Sequence, residues 1–92
     1  ISWSFVELTS GEELFVEGQA MNHCVSSYTS RCATGLSAIV SLRTNNARRV
    51  TIEVEPETCR LVQARGQFNR EINPEERQSI RRWAEAVVAK QR

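Results

Sequence analysis

Apolar and polar residues alternate along three short segments in the middle of the chain, at 37–43, 49–54 and 58–65. The even-numbered positions are apolar except for Thr58 and Arg60 at the start of the third segment; the apolar ones are Ala38, Val40, Leu42, Val50, Ile52, Val54, Val62 and Ala64. A period of two is typical of strands with one buried face. Asn45-Asn46 and Glu55-Pro56-Glu57 are short enough to be hairpin turns, so the pattern predicts an antiparallel meander.

The flanking segments predict a further strand and helices. Residues 2–8 are rich in aromatic and branched side chains, which favour a strand. Ser10 and Glu13 form a capping-box pattern, and the helix they begin has an apolar stripe at Leu14, Gly18, Met21 and Val25. A second short helix, or a continuation of the first, is expected over 26–34.

The last helix is predicted to begin at Asn73 and Pro74, which are a favourable N-cap and first helical residue. Its apolar stripe is Ile80, Trp83, Ala84 and Val87, and it should cover the even face of the sheet. The element order is β-α-α-β-β-β-α. This order predicts an α+β fold of two layers, an antiparallel meander of three to four strands with an N-terminal helical segment and a C-terminal amphipathic helix.

Composition supports one folded domain spanning residues 1–92, since 40% of the 92 residues are hydrophobic and 25% are charged. The first residue is Ile1, so we expect a fragment of a longer protein. No apolar run approaches the roughly 20 residues that span a bilayer. Three cysteines are an odd number, which favours a reduced, cytoplasmic protein over a disulfide framework.

The charge is unevenly distributed, although the net charge is only +1. Residues 1–30 contain four acids and no Lys or Arg, whereas the rest carries all twelve basic residues against seven acids, a balance of +5 (12 − 7). Arginine suits phosphate recognition. The near-neutral total is nevertheless unusual for a dedicated nucleic-acid binder, so we expect most arginines to lie in solvent.

Four polar residues at odd positions share the other face of the predicted sheet: Arg43, Glu53, Gln63 and Arg65. Cross-strand neighbours lie roughly 5 Å apart, so these side chains can converge. Asn69 follows just beyond Gly66, a residue that allows a sharp turn at the strand end. With partial shelter from Ile39, Leu61 and Phe68, the two arginines and Glu53 would form a pocket for an anionic or amide-bearing group. The plainer interpretation is a set of ion pairs on a solvated sheet face.

His23-Cys24 suggests a nucleophile and its base. Adjacent helical residues point about 100° apart, so Cys24 would need Glu53 or a rearranged His23 as its base. The simpler interpretation is that Cys24 is a small buried apolar residue. Zinc is disfavoured because His23, Cys24, Cys32 and Cys59 lack a C-x-x-C pair. The chain contains no phosphate-binding or dinucleotide-binding glycine motif, and no cofactor is expected.

Several short motifs occur together in a specific order: Glu17-Gly18, His23-Cys24-Val25 with Tyr28, Gly35, Ser41-Leu42-Arg43, Thr51-Ile52-Glu53-Val54 and Gln63-x-Arg65-Gly66-x-x-Asn69. Over residues 8 to 83 the chain resembles the PcfJ-like proteins, a bacterial family associated with plasmid conjugation and mobile elements. The resemblance implies a functional pocket that contains His23, Cys24, Tyr28, Arg43, Glu53, Gln63, Arg65 and Asn69. Its plasmid context implies a role linked to nucleic acid, and it implies no particular reaction.

Three hypotheses follow for the function. The first is a module that binds nucleic acid or a nucleotide through Arg43, Gln63, Arg65 and Asn69, with Tyr28 or Phe68 stacking on a base. The second is an enzyme that uses Cys24 or His23 with Glu53, and Arg65 as an oxyanion or phosphate stabiliser. The third is an accessory domain that docks another protein of the conjugation or mobile-element machinery.

Overall fold

The computed structural model describes residues 2–21, 37–58 and 60–90. The elements in chain order are β1 (Trp3–Leu8), α1 (Gly11–Met21), β2 (Ala38–Thr44), β3 (Ala47–Glu55), β4 (Arg60–Arg65) and α2 (Pro74–Lys90). A single 3-10 turn, Gln67–Asn69, follows β4. The helix predicted over 26–34 lies outside the described residues.

The four strands form one antiparallel sheet in the order β1-β2-β3-β4. This confirms the α+β fold and the predicted meander, with β1 as its fourth strand. Asn45 and Asn46 form the turn between β2 and β3, and their φ angles are 51° and 68°. A two-residue hairpin turn of type I′ needs positive φ at both positions, and asparagine adopts that conformation more readily than most residues.

The even face of the sheet carries the larger core, as the alternation predicts. The buried residues of this core are Val40, Leu42, Val50, Ile52, Val54, Ala64 and Ile80. Ile80 brings α2 onto this face, and Trp83 of the same helix stacks on Phe5 with ring centroids 5.0 Å apart. Burying one aliphatic side chain of this size stabilises the fold by roughly 2 kcal/mol, so Ile80 contributes to holding α2 on the sheet.

Helix α1 packs on the odd face, where Leu14 contacts buried Leu8 and Ile39. The predicted capping box is confirmed, since the Glu13 N–H donates to Ser10 Oγ at 3.1 Å. The Glu13 carboxylate in turn accepts from the Thr9 N–H at 3.2 Å. Hydrogen bonds from the Thr9 backbone and from the Ser10 side chain hold the pKa of Glu13 below its usual value. A helix therefore covers each face of the sheet.

Two β-bulges interrupt the alternation. One makes Arg49 an extra residue, so that Arg43 pairs with Arg48, and the other makes Val62 an extra residue between the partners of Glu53 and Val54. A bulge transfers the following residues to the opposite face. The prediction that Leu61 lies on the polar face is therefore wrong: Leu61 borders a groove beside α2. Val62, predicted to be core, is 41% exposed.

Glu76 is the charged centre of the even face and is fully buried. Both of its oxygens accept from Arg70 at 2.9 Å, and Oε2 also accepts from Arg49 Nε at 3.1 Å. Oε1 accepts from the Asn73 N–H at 3.0 Å, and Asn73 Oδ1 caps the helix by accepting from the Glu76 N–H at 2.8 Å. Burial by itself raises the pKa of Glu76, but these hydrogen bonds outweigh it and lower the pKa to about 2.

Gly66 lies directly against the Arg70 side chain. Its φ of −84° is accessible to any residue, so the sharp turn expected of it is not why glycine is needed there. A Cβ at this position would lie 2.4 Å from Arg70 Cζ. The Gly66 N–H donates to the Arg70 carbonyl at 2.9 Å. Glycine thus allows the Arg70 guanidinium to cross the chain at the end of β4 and reach Glu76.

The Glu76 cluster predicts a stability that depends on pH. We expect Glu76→Gln to lower the free energy of unfolding by about 2 kcal/mol, less than for a fully enclosed pair because Arg49 and Arg70 are partly exposed. The folded-state pKa lies below the usual value of 4.5. This stabilisation is therefore present above pH 4.5 and is lost as the pH falls toward 2.

Urea unfolding at about pH 7 and about pH 3 measures this effect. The difference in the free energy of unfolding between wild type and Glu76→Gln should be smaller at the lower pH. Glu75→Gln is the matched control, since Glu75 is an exposed neighbour in the same helical turn. Equal loss of stability in both variants at both pH values would contradict the role assigned to Glu76.

Candidate functional site

A layer of buried polar side chains lies between the odd face of the sheet and α1. Glu17 and Ser41 are fully buried, Glu53 is 2% exposed and Thr51 is 5% exposed. Buried polar groups are costly unless they are hydrogen-bonded. Thr51 Oγ1 donates to Glu17 Oε2 at 2.6 Å, and Ser37 Oγ donates to Glu53 Oε2 at 2.6 Å. The layer is therefore internally bonded.

Glu17 has a role in the site that the motif Glu17-Gly18 did not reveal. Its Oε1 accepts from Arg48 Nε at 2.8 Å, so α1 is tied to β3 by a buried carboxylate with a partly exposed arginine. The signal that would have revealed Glu17 is its position three residues after Leu14. A helical residue at that spacing lies on the same face as the apolar stripe, where a charge needs a partner.

Three of the four predicted odd-face residues lie together at the β4 side of the sheet. Glu53 pairs with Gln63, and Thr51 pairs with Arg65, so Gln63 and Arg65 follow each other on the face that carries Glu53. Met21 is buried at the end of α1, and Ser37 is bonded to Glu53. The strand pairing therefore brings three side chains together. We call Glu53, Gln63 and Arg65, beside the turn Gln67–Asn69, the β4 site.

Arg43 is separate from the β4 site. It lies opposite Arg48 on β3, and its Nε donates to buried Ser41 Oγ at 3.2 Å. Arg43 and Arg48 line a shallow groove of about 230 Å³, whose other walls are Leu8, Glu12, Glu13 and Val16. Arg43 lies two strand spacings across the sheet and two residues along it from Arg65, so their Cα atoms are about 12 Å apart. The four polar residues share a face without forming one pocket.

The predicted apolar shelter of the pocket differs from the observed arrangement. Ile39 is fully buried beneath α1, and Leu61 lies on the face of α2 because of the bulge at Val62. Phe68 is 72% exposed. The β4 site therefore opens to solvent at the strand end, where the turn follows.

Arg65, like Arg43, has no carboxylate partner in the described chain, unlike the arginines that pair with Glu17 and Glu76. Arg48 is paired with Glu17, while Arg49 and Arg70 are both paired with Glu76. Arg65 is half-buried, and its Nη1 donates to the neighbouring Ala64 carbonyl at 3.3 Å. Within residues 2–21, 37–58 and 60–90 it has no carboxylate partner. This leaves a half-buried positive charge that no described side chain neutralises.

The turn Gln67–Asn69 is attached to α1 and to the segment that follows it. Gln67 Nε2 donates to the Ala20 carbonyl at 3.4 Å, and the Arg70 N–H donates to the Gln67 carbonyl at 3.2 Å. Between them Phe68 has φ 58° and ψ 31°, in the left-handed region. Asn69 ends the turn, and its side chain is outside the described part of the chain.

The remaining predicted site residues are not in the described ranges. They are His23, Cys24 and Tyr28, together with the cysteines Cys32 and Cys59 that the zinc alternative considered. Catalysis by His23 or Cys24 with Glu53 therefore stays a prediction. Among the residues that the structure describes, no group of three or more His, Cys, Asp or Glu side chains could hold a metal ion.

Fold and site together define a small α+β domain with buried carboxylates on both sheet faces and an arginine-containing site at one strand end. The sequence model of the PcfJ-like proteins matches residues 2–81. The chain belongs to the PcfJ-like protein family. Comparison with curated proteins gives no match, and comparison with solved structures gives none either. Neither described helix is long and apolar enough to cross a membrane.

The contact between Gly66 and Arg70 predicts a strong coupling between these two residues. Gly66→Ala should lower stability by about 1–2 kcal/mol, because its Cβ displaces the Arg70 guanidinium from Glu76. In the Arg70→Ala variant, Gly66→Ala should lower the free energy of unfolding much less, since the Arg70 side chain that the Cβ would contact has been removed. Urea unfolding of the two single variants and the double variant measures the coupling. Additive effects would contradict the explanation given for Gly66.

Proposed function

We propose that this PcfJ-like domain binds nucleic acid or a nucleotide, with Arg65 of the β4 site contacting a phosphate. The observation that supports this most directly is the half-buried Arg65 guanidinium, which has no carboxylate partner in the described chain. A charge withdrawn from water is costly unless it is paired. A bound phosphate would supply the missing counter-charge, and the planar guanidinium matches its oxygens bidentately.

Gln63 would recognise a second feature of the same ligand. It is half-buried two residues before Arg65 on the same strand face. Its amide can both donate and accept a hydrogen bond, so it suits a base edge or a sugar hydroxyl. A ligand with a phosphate and a polar ring fits this pair better than inorganic phosphate alone.

The charge balance of the odd face favours few phosphate contacts. Glu17 and Glu53 place two carboxylates within the layer, and Glu17 neutralises Arg48. A long basic track is therefore not available on this face of the described chain. Because affinity falls with salt in proportion to the phosphates contacted, we expect a shallow salt dependence.

The family context agrees with this proposal, since the resemblance to PcfJ-like proteins associates the domain with plasmid conjugation and mobile elements. Handling of DNA or RNA is central to such systems. Partner proteins of the same machinery are the alternative ligands, and they would not require an unpaired arginine at the strand end. The phosphate contact is therefore the property that separates the two proposals.

Arg65→Ala should weaken binding of labelled single-stranded DNA or RNA by about tenfold, the effect of losing one charge-assisted contact. Fluorescence anisotropy of single-stranded and duplex DNA and RNA measures it. The logarithm of the wild-type association constant should fall with the logarithm of salt concentration with a slope of about −1 to −2. Arg81→Ala is the matched control, since Arg81 is exposed on α2, on the other face of the sheet.

A third variant, Arg43→Ala, separates a polymer from a mononucleotide. Arg43 is too far from Arg65 to contact the same phosphate. Arg43→Ala should therefore weaken the binding of an extended strand and leave the binding of a mononucleotide unchanged. Equal weakening by Arg65→Ala and Arg81→Ala would contradict a specific role for Arg65. Absence of binding to every nucleic acid and to a mononucleotide by folded wild type would overturn the proposal and favour the enzyme or docking alternatives.

A further inference from the structure

The exposed ring of Phe68 occupies a strained position next to the β4 site. Its φ of 58° and ψ of 31° lie in the left-handed region, which bulky side chains rarely adopt. The ring is 72% exposed and so receives little stabilisation from burial. A glycine or asparagine would fit this backbone at lower cost. Folding alone therefore gives no reason for a phenylalanine here.

The strained conformation is enforced from several sides. The Gly66 N–H donates to the Arg70 carbonyl, and the Arg70 N–H donates to the Gln67 carbonyl. Arg70 is itself held by Glu76, and the Gln67 side chain reaches the Ala20 carbonyl of α1. Strain that persists under such constraints is characteristic of functional positions.

Phe15 provides a useful contrast. It is 62% exposed on α1, but it lies in a regular helix without a positive φ. Single exposed apolar residues of that kind are ordinary on protein surfaces. Phe68 differs because it combines exposure with strain, and because it lies three residues after Arg65 on a turn that packs against α1.

We propose that Phe68 is a stacking surface for a nucleobase of the ligand whose phosphate Arg65 contacts. This inference rests on the proposed function and makes it more specific, because the ligand must then carry a base. Aromatic side chains that stack on bases accept any sequence, since every base has a flat face. The turn holds the ring in position before the ligand arrives, which reduces the ordering cost of binding.

The test compares two probes with the same number of phosphates: labelled oligothymidylate of about 12 nucleotides and an abasic sugar-phosphate oligomer of equal length. Wild type should bind the base-containing probe about tenfold more tightly. Phe68→Leu should abolish that preference while binding the abasic probe as wild type does. Arg65→Ala should weaken the binding of both probes by a similar factor. Phe15→Leu should bind both probes as wild type does.

The outcomes separate this inference from the proposed function. A preference for bases that Phe68→Leu retains, or equal wild-type affinity for both probes, overturns the stacking role and leaves phosphate binding intact. Absence of wild-type binding to either probe overturns the stacking role. The proposed function is overturned only if the other nucleic acids and a mononucleotide also fail to bind. Thermal unfolding of Phe68→Gly provides a second readout. Its unfolding midpoint should match that of wild type or rise by about 4 °C as strain is relieved. A lower midpoint would mean that Phe68 stabilises the fold, and would contradict the stacking role.

Discussion

The buried carboxylate of Glu76 is the interaction on which the site end of the molecule depends. It connects three parts of the chain: α2, to which it belongs; β3, through Arg49; and the segment after the 3-10 turn, through Arg70. The Arg70 guanidinium also donates to the Arg49 carbonyl at 3.2 Å, so the turn is fixed to the sheet backbone as well. A buried charge is tolerated only when several donors satisfy it. That requirement fixes the path of the chain after β4.

Glu17 has the equivalent role on the opposite face. It joins α1 to β3 through Arg48 and Thr51, as Glu76 joins α2 to the same strand through Arg49. Two adjacent arginines of one strand thus serve two helices on opposite faces. The bulge at Arg49 allows this arrangement, while Val50 remains in the larger core between the sheet and α2. Strand β3 is therefore the structural centre of the domain, in charge as well as in apolar packing.

Because these carboxylates occupy Arg48, Arg49 and Arg70, few arginines of the described sheet lack a carboxylate partner. Arg65 is the exception near the turn, and the two glutamate clusters hold the elements around it in place. The turn that carries Phe68 is fixed by α1 on one side and by Arg70 on the other. Rigid support of this kind is what a small binding site needs, since side chains already in position lose less entropy when a ligand binds.

The sequence by itself determined the features that depend on neighbouring residues. Alternation identified the strands and the face that carries Glu53, Gln63 and Arg65. Local capping rules located the start of each helix, and Asn45-Asn46 identified a hairpin turn, since these signals act over at most four residues. The family followed from several motifs in a specific order.

Only the tertiary structure decided the two bulges, the partners of the buried carboxylates and the true reason for Gly66. An extra strand residue leaves no mark in a one-dimensional alternation, because it is defined by the residue across the strand. This is why the alternation places Leu61 on the wrong face. Arg43 is separate from Arg65 for a different reason, the distance across strand β3. Glu17 and Glu76 lie on the apolar faces of their helices, but the sequence does not show which arginines meet them. Their partners are distant in sequence, and only folding brings them together.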